Sequence, residues 1–178
     1  MDYSQLIRKR YSVRSYLDKP VEKNKLDYVL EAGRIAPTAA NRQPQAVIAV
    51  TSEQGLETID KACNRFGAPV VLVVCADHSQ TWKRSYDNMD SAYIDASIVT
   101  DHMMLAAADS GLGSLWICKF DPSVIRNGFG LPDHVEPINI LCLGYASTEA
   151  EQSPAASPDR HERLRKPIDS TVKYEKWQ

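Results

Sequence analysis

The chain has only four cysteines in 178 residues, and no two of them form a CxxC pair. Neither a zinc site nor a thioredoxin-like redox centre is therefore signalled. Cys75 and Cys142 lie inside apolar runs, where a thiol is expected as a small core hydrophobe. No GxGxxG and no GxxxxGKS/T occurs, so no motif announces dinucleotide or P-loop binding. No apolar run approaches the roughly 20 residues of a membrane-spanning helix. The first ten residues are polar with no apolar stretch after them, unlike a secretory signal, and a reducing cytoplasmic compartment is expected. Asp77-His78-Ser79 is contiguous, whereas a catalytic triad is defined by spatial geometry, so a turn is expected there. A calcium loop starting at Asp87 would need glycine and glutamate where Ala92 and Ile98 stand. Charge of one sign is also lacking: 21 basic against 23 acidic residues give −2, which excludes bulk attraction to nucleic acid or an anionic membrane. With 43% hydrophobic and 25% charged residues, the composition is that of one ordinary folded domain spanning 1–178.

The balanced total conceals an uneven distribution. Residues 1–14 carry four basic residues and one acidic, and residues 160–178 carry six basic and three acidic. The 145 residues between them are acidic, with 19 acidic against 11 basic. Apolar periodicity predicts helices over 2–10, 22–34, 53–64 and 92–110, the last largely buried, with Gly111 as its left-handed cap. The β-branched run 69–76 reads as a strand buried on both faces. Strands are also expected at 45–51, 113–119 and 138–145, and a short helix capped by Asp121 ending near Gly128. Segment 37–44 is a loop between two prolines, and 78–91 reads as a loop or mobile helix with Trp82 and Tyr86 exposed. Residues 146–159, poor in large apolar side chains, read as an extended linker. The arm of residues 146–178 ends in Val172, Tyr174 and Trp177 and is expected to dock on the core or on a partner subunit. Strands and helices interleave without a βαβ rhythm, so the fold class is α+β.

Arg10, Ser12 and Arg14 alternate, so an extended backbone would point two guanidiniums and a hydroxyl the same way, a set suited to phosphate or another multi-oxygen anion. Arg163, Arg165 and Lys166 form a second cationic cluster that could share the same counter-ion, although each cluster alone is equally a solvated face.

Five segments in order carry a family resemblance. Arg10-Tyr11-Ser12-Val13-Arg14 follows a short helix; Pro37-Thr38-Ala39-Ala40-Asn41-Arg42-Gln43-Pro44 forms a loop. Gly111-Leu112-Gly113-Ser114-Leu115-Trp116-Ile117 enters a strand, and Phe129-Gly130-Leu131-Pro132 and Leu143-Gly144-Tyr145 follow. With the ending Arg165-Lys166-Pro167 and Tyr174-Glu175-Lys176-Trp177, the chain resembles the FMN-dependent nitroreductase family over nearly its whole length.

The resemblance implies a three-layer α+β sandwich with a mostly antiparallel sheet, built as an intertwined homodimer with exchanged C-terminal arms and two flavins at the interface. It implies FMN as cofactor, its phosphate held by Arg10, Ser12, Arg163 and Arg165, with Lys166 participating or solvated. Arg14 would face the pyrimidine edge, where reduction leaves negative charge that a cation stabilises. Tyr11 would lie beside the phosphate and ribityl chain or serve packing alone. Pro37, Thr38 and Ala39 would cover the partner subunit's flavin, with Asn41 bonding in the site and Gln43 near it. Trp116 and Ile117 would lead to Cys118 and Lys119, whose backbone N–H groups would face flavin N5 and O4; family members with a Glu-Gly pair here differ from this Cys-Lys. Asn64 falls near a flavin-contacting lysine of some members, and Trp82, Lys83 and Tyr86 would border the substrate opening. The activity implied is hydride transfer from NADH or NADPH through flavin N5 to nitroaromatic, quinone or similar small acceptors by a ping-pong mechanism, with no obligatory catalytic side chain. The alternatives are a flavin carrier or redox sensor without turnover, flavin fragmentation or reductive dehalogenation on the same scaffold, and binding of another phosphorylated ligand.

Overall fold

The computed structural model describes residues 1–177. The chain order is α1 (Tyr3–Lys9), α2 (Lys23–Arg34), β1 (Gln45–Val50), α3 (Glu53–Ala62), β2 (Val70–Asp77), α4 (Ala92–Asp109), β3 (Gly113–Ile117), α5 (Pro122–Phe129), β4 (Val135–Gly144), α6 (Thr148–Glu151), α7 (Arg160–Leu164) and α8 (Ile168–Thr171). The strands form one antiparallel sheet in the order β1-β2-β4-β3.

Side-chain alternation along the two central strands makes the layers. Val70, Leu72 and Val74 of β2, with Leu141 and Leu143 of β4, face α2 and α4 through Val29, Val99, Met103 and Ala107. Val71, Val73, Cys75, Ile140 and Cys142 face the opposite side, where Ile59 of α3 and Ile125 of α5 close the core. Every residue from Val70 to Ala76 is at most 4% exposed, as expected of a strand covered on both faces. The result is the three-layer α+β sandwich. Burial pushes the thiols of Cys75 and Cys142 up, to about 11 and about 12 respectively.

The outer edge of β3 is covered by the segment after α1: Ser12 bridges Ser114 in parallel, and the Val13 N–H donates to the Ser114 carbonyl at 3.0 Å. This places residues 10–14 in extended conformation across the sheet edge, with Val13 buried beneath.

Two boundaries differ from expectation. β4 begins at Val135 and includes Pro137, because the β2–β4 register shifts between Val74 and Cys75 and the irregularity accommodates a residue without an N–H. α5, expected to end near Gly128, runs to Phe129, and Gly130 (φ 65°) is its left-handed cap.

The linker expected at 146–159 is instead folded back on its own chain. Ser147 donates its N–H to the Ser15 carbonyl, Ala150 is buried, and α6 forms there. Small residues allowed close approach where few large apolar ones were available. From the end of α7 onward the chain projects apolar groups outward: Leu164, Ile168, Tyr174 and Trp177 are between 65% and 89% exposed.

Among the described residues no helix is long and apolar enough to cross a membrane.

Candidate functional site

The extended segment after α1 and the C-terminal α7 meet to form a pocket of about 180 Å³ lined by Arg10, Tyr11, Ser12, Arg14, Arg160, His161, Leu164 and Arg165. Arg160 holds the two pieces together. Its buried guanidinium donates to the carbonyls of Arg8 and Arg10 at the C-terminal end of α1, and to the Ser157 carbonyl at 3.1 Å. His161 Nε2 lies 3.0 Å from the same Arg8 carbonyl. A cation suits the negative end of a helix dipole, and here it also satisfies carbonyls left open by α1.

Arg160 is committed in this way, but Arg10 and Arg165 are not: among the described residues, neither side chain makes an ion pair or a hydrogen bond. Burial, and then the neighbouring charges of Arg160 and Arg165, push the Arg10 guanidinium below its ordinary value, with only Asp101 opposing. Arg160 is lowered likewise by burial and by Arg165. Three crowded guanidiniums without a paired carboxylate call for an external anion. The buried Tyr11 hydroxyl on the same wall also has no hydrogen-bond partner, and burial followed by Glu151 raises its pKa.

The structure thus brings Arg10, Tyr11, Ser12, Arg14 and Arg165 together. It does not bring Arg163: that guanidinium turns back one helical turn to Asp159, Nε to Oδ2 at 2.7 Å. Lys166 is exposed and is not on the pocket wall.

The loop 37–44 winds through one 3-10 turn at Ala39–Asn41, with Ala40 (φ 50°), Asn41 (φ 53°) and Gln43 (φ 52°) in the left-handed region. For residues with a Cβ this conformation costs about 1–2 kcal/mol each. Hydrogen bonds hold it. The Gln43 N–H donates to Thr38 Oγ1 at 3.0 Å, and the Ala39 N–H donates to Asp95 Oδ1 of α4 at 2.8 Å. Pro37, Asn41 and Gln43 are exposed, and in a single chain this loop does not line the cationic pocket.

Segment 78–91 contains no helix; its ends are clamped together. His78 sits between Asp90 (Nδ1–Oδ2, 3.1 Å) and Glu136 (Nε2–Oε2, 2.7 Å), and Thr81 Oγ1 donates to the same Asp90 oxygen at 2.9 Å. The Asp90 hydrogen bond raises the His78 pKa first, opposed by partial burial and aided by Glu136. Trp82 is half-buried, whereas Tyr86 stands 94% exposed, and the backbones of Lys83 and Asp90 pair in an antiparallel bridge.

At the other end of β3, the ladder to β4 stops at the Ile117–Ile140 pair, so Cys118 and Lys119 lie just beyond it, exposed. Lys119 shares an open pocket of about 570 Å³ with Cys63, Asn64, Phe66 and Phe120, which brings Asn64 and Lys119 together. Trp116 packs toward α4, and its buried indole N–H has no partner; Ile117 points to the opposite layer.

Two functional candidates escaped the sequence reading. In the sequence Arg160 reads as one of several C-terminal cations, although it lies one helical turn before Leu164 and so shares its face. Asp95 is an acid in register with Val99 and Met103 on the buried arc of α4, a placement that marks a polar side chain with internal partners.

Comparison with known proteins follows the same lines. A profile of the Nitroreductase family matches residues 7–65 and 61–145. A Methanothermobacter thermautotrophicus protein, provisionally named NADH dehydrogenase/NAD(P)H nitroreductase, is 31% identical over 170 residues, covering 90% of this chain and 85% of its own. A Bacillus subtilis protein named as an NAD(P)H FMN reductase is 28% identical over 162 residues, covering 80% of this chain and 65% of its own. A solved nitroreductase family protein from Clostridium difficile 630 has a TM-score of 0.94 and 46% identity, over 99% of this chain and 100% of that one.

Proposed function

This chain belongs to the nitroreductase family, and from that membership and the uncompensated cations of its N- and C-terminal segments we propose that it reduces small acceptors with NAD(P)H through bound FMN. It is an NAD(P)H-dependent oxidoreductase, and FMN is its cofactor. The single observation that carries the cofactor reading is the cluster of Arg10, Arg160 and Arg165 with no paired carboxylate among the described residues. A phosphate monoester, a dianion with three oxygens, fits this donor set: guanidinium forks and the Ser12 hydroxyl all donate to oxyanions.

FMN held there would supply a hydride acceptor for NAD(P)H and a donor of reducing equivalents to a second molecule at the same face, the chemistry of a ping-pong cycle. The chain's own residues bind and orient. Arg10, Ser12 and Arg165 hold the phosphate, and Arg160 fixes the segment carrying Arg10 by way of its carbonyl. Arg163 holds Asp159 and contributes to the pocket only through α7. Arg14, exposed at the pocket rim, is the cation for the pyrimidine edge, where positive charge favours the reduced state. Cys118 and Lys119, just past the last β3–β4 pair, offer their N–H groups to the reactive edge. Protons on the acceptor come from water, since no side chain is required to hold them. Nitroaromatic or quinone acceptors would be met by Trp82 and Tyr86 on segment 78–91, whose rings can stack on flat molecules.

The functional unit is a homodimer. The exposed Ile168, Tyr174 and Trp177 are an arm that finds its apolar cover on a second copy. The loop 37–44, outside the cationic pocket of its own chain, covers the flavin held mainly by the partner.

Riboflavin, which is FMN without the phosphate, provides the test. Fluorescence titration of the flavin-free protein should show FMN binding at least about 100-fold tighter than riboflavin, since two charge-assisted contacts are at stake. Equal affinities would remove the phosphate from the account.

A further inference from the structure

Asp95 is the one fully buried acidic side chain among the described residues, and no ion pair there involves it. A buried carboxyl group without a cation needs hydrogen bonds to both oxygens. Those bonds come from two different loops. Oδ1 accepts the Ala39 N–H at 2.8 Å, and Oδ2 accepts the Ser91 hydroxyl at 2.7 Å. Ser91 Oγ in turn accepts the Trp82 N–H at 3.1 Å. The helix forgoes something for this arrangement. Ser91 occupies the N-cap of α4 but makes no side-chain cap bond, and Asp90 Oδ1 takes the Ala92 N–H instead. A sequence serving stability alone would cap with Ser91 and place an apolar residue at position 95.

We propose that Asp95 is a positioning residue that couples the loop 37–44 to the segment 78–91. The proposal rests on the flavin reading for its functional consequence: the first loop covers a flavin and the second borders the acceptor opening. Both arms of the relay end on backbone N–H groups, so one planar carboxyl group sets the two main chains in a common register. The left-handed Ala40, Asn41 and Gln43 begin one residue beyond Ala39, so releasing Ala39 lets that strained turn relax. Disturbing one arm therefore shifts the other loop, and acceptor affinity and flavin cover change together.

Two variants test it on the full-length chain. Asp95→Ala removes both acceptor oxygens, and Ser91→Ala removes the hydroxyl that accepts the Trp82 N–H while leaving the Ala39 bond in place. Amide hydrogen exchange of the flavin-free protein is read at Ala39, Gln43 and Trp82, with β2 amides as the internal reference for intact folding. Asp95→Ala should speed exchange at Ala39 by roughly 10- to 100-fold, the loss of a hydrogen bond to a carboxylate, and raise Trp82 several-fold through the freed Ser91 hydroxyl. Ser91→Ala should speed Trp82 similarly and, through the shared carboxyl group, raise Ala39 and Gln43 several-fold, with β2 unchanged in both. With FMN-loaded protein, Ser91→Ala should raise the acceptor KM several-fold with a smaller change in kcat. The proposal fails if Ser91→Ala alters exchange at Trp82 alone, or if Asp95→Ala leaves both loops protected. Because the exchange is read without flavin, a chain that binds no FMN would sink the functional reading and still decide the coupling.

Discussion

Substituting Arg10 by methionine should move two properties in opposite directions. The long apolar side chain keeps the packing of the arginine stem while removing a guanidinium that is half-buried and crowded by Arg160 and Arg165. The tie from Arg160 survives, because it runs to the Arg10 carbonyl and not to its side chain. In the flavin-free protein the substitution removes like-charge repulsion and the burial of an unpaired charge. Denaturant unfolding should therefore show stability within about 0.5 kcal/mol of the parent, or higher, the range of a change that breaks no native contact. FMN binding loses one charged donor to the phosphate, about 1.5–3 kcal/mol, which is roughly a 10- to 150-fold weaker Kd. Riboflavin binding should hardly change. The reasoning is refuted if Arg10→Met destabilises the flavin-free chain by more than about 1 kcal/mol and leaves the Kd for FMN untouched, because Arg10 would then be a structural cation.

Three further outcomes follow from the same structure. Arg160→Ala leaves the Arg8 and Arg10 carbonyls and the start of α7 without their donor, and should cost about 2–4 kcal/mol by thermal or denaturant unfolding; a loss under 0.5 kcal/mol would contradict its role as the clasp. His78 should titrate above its ordinary value in an NMR pH series. Its pKa is raised in the fold, so the charged clamp is complete below the ordinary histidine value and is lost as pH rises through the shifted one; protection of the 78–91 amides should fall across that interval, and titration at or below the ordinary value would refute the clamp. Ending the chain at Pro167 should leave the monomer fold intact by circular dichroism while sedimentation shifts toward monomer; a truncated chain that stays fully dimeric would show that the arm is not the interface.

The legible parts of the fold were those where one physical rule acts alone. An eight-residue β-branched run has no solvated face to offer, and β2 is buried along its length. The alternation of Arg10, Ser12 and Arg14 was readable because an extended chain has a period of two, and these residues share one pocket. Composition misled at 146–159: few large apolar residues suggested a linker, yet Ala150 is buried and Ser147 bonds to Ser15 of the first segment. The position of Arg163 could not be read from its charge, since whether a helical arginine faces a ligand or its own Asp159 depends on helix phase, and α7 begins only at Arg160. Nor does an alanine or a glutamine signal the left-handed turn at 40–43, which tertiary hydrogen bonds impose. Asp95 carries a signal, an acid on an apolar arc, but hydrophobic periodicity alone marks that arc only as core.

The central claim is that this chain moves electrons from a nicotinamide through FMN to a second molecule at one site. Anaerobic mixing of the FMN-loaded protein with NADH or NADPH, followed by addition of a quinone or nitroaromatic, tests it in one cuvette. The account predicts bleaching of the flavin absorbance by the nicotinamide alone and recovery on adding the acceptor, in two separable steps. A bound flavin that neither nicotinamide bleaches would contradict it and leave a binding protein in its place.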